Sequence, residues 1–365
     1  MDKRTLLTMA ISLTAVASIA IPGGSVIAGD RGTEFRQTNL ESNKAGMAEF
    51  TDPDLQNPWG ISSSASSPMW VSDNAAGVTT LYRGDGSKFP VIPRVVIPPA
   101  PTNPCTDANN KPQGCPTGTV FNGNAAEFRG DRFLFATEDG TISGWKGGPA
   151  ASIEVNNSAP APGAVYKGLA IGFDGLVDKL YAANFRFSRV DVFNTDFSSA
   201  GSFTDSGMPA GYAPFNVQNL GGALYVSFAK QNADKHDDVA GRGHGFVDRF
   251  DLDGHLLDRL ISHGRLNSPW GLAIAPAAFG SFAGDLLVGN FGDGRINAYS
   301  LDEGEFRGEL RNSSDAPIVI DGLWAIRIGN GGAAPNGGDP AAVYFTAGIN
   351  GEKDGLFGTI KNAGR

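Results

Sequence analysis

The sequence predicts an all-β chain folded as a six-bladed β-propeller, and three observations carry that prediction. One turn-and-strand phrase recurs, as Asn57-Pro58-Trp59-Gly60-Ile61, Tyr166-Lys167-Gly168-Leu169, Pro214-Phe215-Asn216-Val217, Ser268-Pro269-Trp270-Gly271-Leu272 and Gly322-Leu323-Trp324-Ala325-Ile326, with a degenerate copy near Asn122 to Phe128. An apolar strand follows each copy: Met69-Trp70-Val71, Phe133-Leu134-Phe135, Lys179-Leu180-Tyr181-Ala182, Leu224-Tyr225-Val226, Asp285-Leu286-Leu287-Val288 and Val343-Tyr344-Phe345. The period, roughly 45–65 residues with several short strands per unit, is that of propeller blades.

The elements follow in order. Residues 35–42 read as a strand, and residues 47–55 lead into the first repeat. The fourth repeat runs through strands at 215–219, 223–229, 246–251 and 256–261, with Asp251-Leu252-Asp253-Gly254 as its outer turn. The fifth has strands at 270–275, 286–288, 295–300 and 305–310, separated by Gly-rich hairpin signals such as Gly292-Asp293-Gly294. The sixth shows three strands only, through Leu323, Val343 and 356–360. The strand at 35–42 is therefore expected to add as its fourth strand and close the ring, protecting an edge that would otherwise be exposed. No amphipathic helix pattern of 12 or more residues follows the leader.

The 365 residues contain 50 glycines and 22 prolines, which alternate with β-branched and aromatic runs and so read as turn punctuation rather than disorder. A formal charge of −9, with no basic cluster beyond the first residues, argues against a nucleic-acid partner. Residues 1–28 read as a signal peptide: Lys3-Arg4, an apolar stretch over 6–20, and a small-residue site at Val26-Ile27-Ala28, with cleavage after Ala20 as the alternative. Residues 29–365 then form one propeller domain. It is expected to be exported to the periplasm or outside the cell, monomeric, and without a membrane anchor once the leader is removed. Cys105 and Cys115, the only cysteines, lie in a Pro/Asn/Gly-rich loop over 98–118. In an oxidising compartment they are expected to form a local disulfide, since no helix N-terminus is present to activate a redox pair.

The repeats resemble NHL-type six-bladed propellers, and the mature chain looks like an uncharacterised family of exported bacterial propeller proteins. The likeness rests on Thr38-Asn39-Leu40, Asp52-Pro53-Asp54-Leu55, Asn57-Pro58-Trp59-Gly60 and His236-Asp237-Asp238-Val239 with Gly243-His244-Gly245. It continues through residues 266–276, Gly289-Asn290-Phe291-Gly292-Asp293-Gly294 and Thr346-Ala347-Gly348-Ile349-Asn350. It implies a fold and no particular activity.

Propeller topology turns these strings into a place. The starts of the inner strands, the ends of the second strands and the loops between second and third strands share one face. There the phrase contributes Trp59, Lys167, Phe215, Trp270 and Trp324, with the region around Asn124 filling the sixth sector. Aromatics with a few placed polar groups suit a sugar, a planar organic molecule or a peptide; alternatively the tryptophans wedge the blades together. The second strands end in Asp73, Glu138, Asn184 and Asn290, hard oxygen donors of the kind that hold Ca²⁺ at the axis of some six-bladed lactonases. Phe228 and Ala347 at the equivalent positions of repeats four and six depart from that pattern, and Asx side chains also cap turns. The long loop over 230–245 gathers His236, Asp237, Asp238 and His244, a candidate transition-metal set or a general base oriented by an acid. Three functions follow. The favoured one is a propeller that binds a small molecule, sugar or protein at the aromatic face. A metal-dependent, lactonase-like hydrolase using that face is the second, and a structural module of the envelope the third.

Overall fold

The computed structural model describes residues 34–364; the predicted signal peptide, residues 1–28, lies outside them. Six sheets stand around one axis, all antiparallel but for one short parallel strand at the edge of the sixth. Blade 1 comprises Pro58–Ser62, Met69–Asp73, Val78–Tyr82 and Arg94–Val96. Blade 2 comprises Pro116–Phe121, Phe133–Thr137, Thr141–Trp145 and Ser152–Asn156. Blade 3 runs through Tyr166–Phe173, Asp178–Asn184, Arg189–Phe193 and Ser199–Phe203. Blade 4 runs through Tyr212–Leu220, Ala223–Lys230, Gly245–Phe250 and Leu256–Ser262, and blade 5 through Pro269–Ile274, Leu286–Asn290, Ile296–Tyr299 and Phe306–Glu309. Blade 6 has Leu323–Ile328, Val343–Ala347 and Leu356–Asn362.

The missing strand of blade 6 comes from the other end of the chain, as expected. Phe35–Ser42 pairs antiparallel with Leu356–Asn362, in a register running from Phe35 opposite Asn362 to Ser42 opposite Leu356. Phe50–Thr51 then adds in parallel at its edge. Phe35 is buried against Phe279 of blade 5, ring centroids 4.9 Å apart, so the closing strand also joins two blades.

The inner strands pack on one another in sequence around the axis and back to blade 1. Their glycines explain the recurring phrase. A Cβ at Gly118 would lie 2.3 Å from the backbone N of Leu169, and one at Gly60 would lie 2.6 Å from the carbonyl of Thr117. Gly168 and Gly271 meet the next inner strand as closely. Only glycine lets backbones approach this far.

One assignment is corrected. Residues 122–128 are not the second copy of the phrase: they form the turn after the inner strand of blade 2, where the Asn122 side chain holds the Asp131 carbonyl. Asn124 is therefore at the far end of the axis from the predicted face. The true copy is Pro116-Thr117-Gly118, with Thr117 standing where blades 1 and 5 have tryptophan. Its hydroxyl donates to the carbonyl of Tyr166 in blade 3, a small polar link in place of an aromatic wedge.

Candidate functional site

Trp59, Trp270, Trp324 and Phe215 converge on the axis, as placed from the sequence. Trp59 and Trp324 stack with ring centroids 3.4 Å apart, Trp270 meets both edge-on at about 6 Å, and Phe215 lies 5.8 Å from Trp324. Phe291 stacks on Trp324 at 4.0 Å. The three indoles are 1–2% exposed, so they offer no ring face to solvent. They close the axis as a plug. Trp270 Nε1 donates to the Lys167 carbonyl and Trp324 Nε1 to Asn57 Oδ1, while Trp59 Nε1 has no partner.

A polar cluster lies on this plug. The inner strand of blade 3 turns Tyr166 into the blade, where its hydroxyl donates to Asp191, and so turns Lys167 towards the axis. The Lys167 ammonium sits 5.0 Å over the Trp59 ring and donates to Glu138 Oε1, with Asp237 Oδ1 at 3.5 Å. Glu138 also accepts from Asn74 Nδ2 at 2.8 Å, and Asn57 Nδ2 donates to Glu352 Oε2 at 2.8 Å. Asn57 and Glu352 both hold left-handed backbone, φ 46° and 64°, an uncommon conformation for such residues. Blades 1, 2, 3, 4 and 6 thus each send a polar group to one point.

The cluster sets the protonation of its members. Burial pulls the Lys167 ammonium down, but Glu138 and Asp237 outweigh it and hold its pKa above the ordinary value. It stays charged and is no amine nucleophile. The hydrogen bond from His236, with Lys167 behind it, draws the Asp237 carboxyl down to about 2. Burial pushes Glu352 up to about 7, with Glu138 adding to the effect, and burial also raises Asp238.

The candidate acids and histidines of the long loop divide. His236 and Asp237 are joined through Nδ1 and Oδ1 at 2.7 Å and reach the cluster. Asp238 feels the Lys167 charge and belongs with them. His244 folds back to the Val239 carbonyl at 2.8 Å, so neither acid orients it.

The donors expected for an axial Ca²⁺ do not assemble as one set. Asn184 spends its amide on Asp191 and on Phe187 N, and Asn290 on Arg265 O, Asp293 and Asn267 N. Asp73 is fully buried inside blade 1, its carboxyl pushed well above the usual range by desolvation. Glu138 alone of the four faces the cluster, and Lys167 already supplies it with positive charge. A different trio, Glu138, His236 and Asp237, brings ligand atoms within 4.8 Å of one another. Cys105 and Cys115 are disulfide-bonded, and the Cys115 carbonyl accepts from Glu138 N, so the stapled loop abuts the cluster.

Sequence reasoning missed Asn57, Asn74 and Glu352, whose side chains turn inward through turn geometry that no residue-type pattern announces. It also missed Arg327. Across the six inner strands Lys167 and Arg327 are the charged residues, a signal available in the sequence.

No family model matches the sequence. Among solved structures, the soluble aldose sugar dehydrogenase of Escherichia coli superposes with a TM-score of 0.55 at 11% identity, over 90% of this chain and 99% of that one. A glucose dehydrogenase gives 0.55 at 12% identity, over 89% and 98%. Likeness at this identity is likeness of fold. In sequence, one uncharacterized protein of Acanthamoeba polyphaga mimivirus is 32% identical over 345 residues, 90% of this chain and 80% of its own. A second from the same virus is 33% identical over 340 residues, 88% and 84% respectively. The chain belongs to the family that these uncharacterized mimivirus proteins represent.

Proposed function

We propose that this is an exported propeller that binds a small polar molecule, hydroxyl-rich or amine-bearing, on the face above the tryptophan plug. One observation carries the reading: charged and amide side chains from blades 1, 2, 3, 4 and 6 converge there, with Asp237 61% exposed at the rim. Charges gathered at a partly dry site cost stability, so their convergence favours recognition over packing. Carboxylates outnumber the one ammonium, which favours a ligand that donates hydrogen bonds. The plug supplies a rigid floor. Export is supported by the leader-like first 28 residues and by the disulfide, which needs an oxidising compartment. No helix among the described residues is long and apolar enough to cross a membrane.

The test is a titration of the protein with neutral sugars, amino sugars and polyamines, followed by indole fluorescence and melting temperature. A saturable ligand is expected whose affinity falls by about tenfold or more in Asp237→Asn and His236→Ala, with both variants still folding cooperatively and Asp237→Asn melting somewhat lower because Lys167 loses one of its acidic partners. Affinity indifferent to both substitutions would remove the proposed face from consideration.

The hydrolase reading rests on Glu138, His236 and Asp237 as a metal trio. His236 against Asp237 is also an acid-oriented imidazole of the kind used as a general base. Lys167 competes with any cation for Glu138. Stoichiometric Ca²⁺ or Zn²⁺ in the purified protein, lost in Glu138→Gln, would favour the hydrolase; metal-free protein with ligand affinity favours the binder.

A further inference from the structure

The opposite end of the axis is open. A cavity of about 300 Å³ begins at Trp270 and widens between the ends of the inner strands of blades 4, 5 and 6. A smaller lobe of about 160 Å³ adjoins it, and Thr119, Gln218, Asn219 and Arg327 line both. Exposure rises from Trp270 and Leu272, both buried, to Ile328 and Leu220, half-buried, and to Gly221, exposed at the lip.

Arg327 has no acidic partner here. Among the described residues no carboxylate lies within ion-pair distance of it, and its one protein bond is a long 3.4 Å contact from Nη2 to the Ser63 carbonyl. Its Nε is shielded from solvent and unbonded. The Ser63 hydroxyl, in the smaller lobe, is likewise buried without a partner, and the Gln218 side chain lines the same lobe. Desolvation alone lowers the Arg327 pKa, with no acid offsetting it. Lys167, at the other end of the same axis, differs in having Glu138 and Asp237 beside it.

A guanidinium partly withdrawn from water, its Nε shielded and unbonded, carries a cost that a bound counter-charge would offset. We propose that Arg327, with Gln218 and the Ser63 hydroxyl, forms a binding site for a small organic carboxylate in this second mouth, distinct from the polar face above the tryptophan plug. The forked guanidinium matches a carboxylate through two parallel N–H bonds. A single cation balances a single negative charge, which favours a monocarboxylate over a doubly charged phosphate ester. Ile61, Leu272, Ile274 and Ile326 line part of the wall and Asn216, Gln218 and Asn219 the rest, so the body of the ligand is a short chain or ring that meets both apolar and amide surface.

The experiment is calorimetric titration of the whole protein in chloride-free buffer with benzoate, hexanoate, benzamide and inorganic phosphate. Benzoate or hexanoate is expected to bind saturably, quench indole fluorescence and raise the melting temperature. Benzamide, of the same shape without charge, is expected to bind at least about tenfold more weakly. Arg327→Met is expected to abolish carboxylate binding while melting at or near the wild-type temperature, since it removes a half-buried charge that has no acidic partner. Equal affinity for benzoate and benzamide in the wild-type protein, or no binding of either carboxylate, overturns the proposal. So does phosphate binding as tightly as the carboxylates, or carboxylate binding that survives Arg327→Met.

Discussion

At the scale of single residues, Lys167 shows how one side chain couples packing to charge. It is 2% exposed, lies over the Trp59 ring and neutralises Glu138. Lys167→Met keeps the apolar stem but deprives Glu138 of its counter-charge, so it is expected to cost about 3–5 kcal/mol in urea unfolding. Adding Glu138→Gln removes the stranded charge and is expected to recover most of that loss. If the double variant is no more stable than the single one, the pair is not coupled. Lys167 was legible in the sequence as the odd member of an aromatic set. Its partners were not: Asn57 and Glu352 reach the cluster only because each takes a left-handed backbone, which residue type alone does not reveal.

At the scale of elements, the strand Phe35–Ser42 shows what sequence patterning reveals well. Blade 6 lacked a strand, the chain offered one far away, and the pairing follows from both facts. Blade 2 shows the opposite: its inner strand opens with Pro116-Thr117-Gly118, and without tryptophan the copy was hidden inside an apparent loop. The Pro-x-Gly spacing shared with Pro58-Trp59-Gly60 and Pro269-Trp270-Gly271 was the signal, because the glycine contact is what the axis requires. Two outcomes follow at this scale. Phe35→Ala removes a ring buried against Phe279 and Phe282 and should cost about 3–5 kcal/mol, read as a lower urea midpoint with an unchanged slope. Replacing Cys105 and Cys115 by serine opens a loop with a sequence separation of 10 and should cost about 2–3 kcal/mol. Limited proteolysis is then expected to cut within 98–118, and a melting temperature equal to the wild type would show the staple to be idle.

At the scale of the whole molecule, the propeller spends stability on buried carboxylates, and that makes its stability fall as pH rises. Burial, with Asp52 nearby, pushes Glu41 up to about 8; burial and Asp258 push Asp248 up to about 7; burial and Glu138 push Glu352 up to about 7. Each binds its proton more tightly folded than unfolded, where the ordinary values are 4.5, 3.8 and 4.5. The folded state is therefore favoured most below those ordinary values, and the advantage is lost as pH climbs through about 7 to 8. Glu41 and Asp248 are 2% and 0% exposed, so each is expected to contribute a loss of about 1–3 kcal/mol. Asp237 acts in the other sense but is drawn down to about 2, so its contribution disappears only in strong acid. The formal charge of −9 at pH 7 adds self-repulsion in the same direction as the raised carboxyls. Above pH 5 the melting temperature should thus decline steadily up to about pH 8. Asp248→Asn stays neutral throughout and should flatten the decline up to about pH 7, and Glu41→Gln the decline up to about pH 8. A melting temperature that climbs from pH 5 to 8 in the unaltered protein would mean that these carboxyls are ionised in the fold and satisfied by partners.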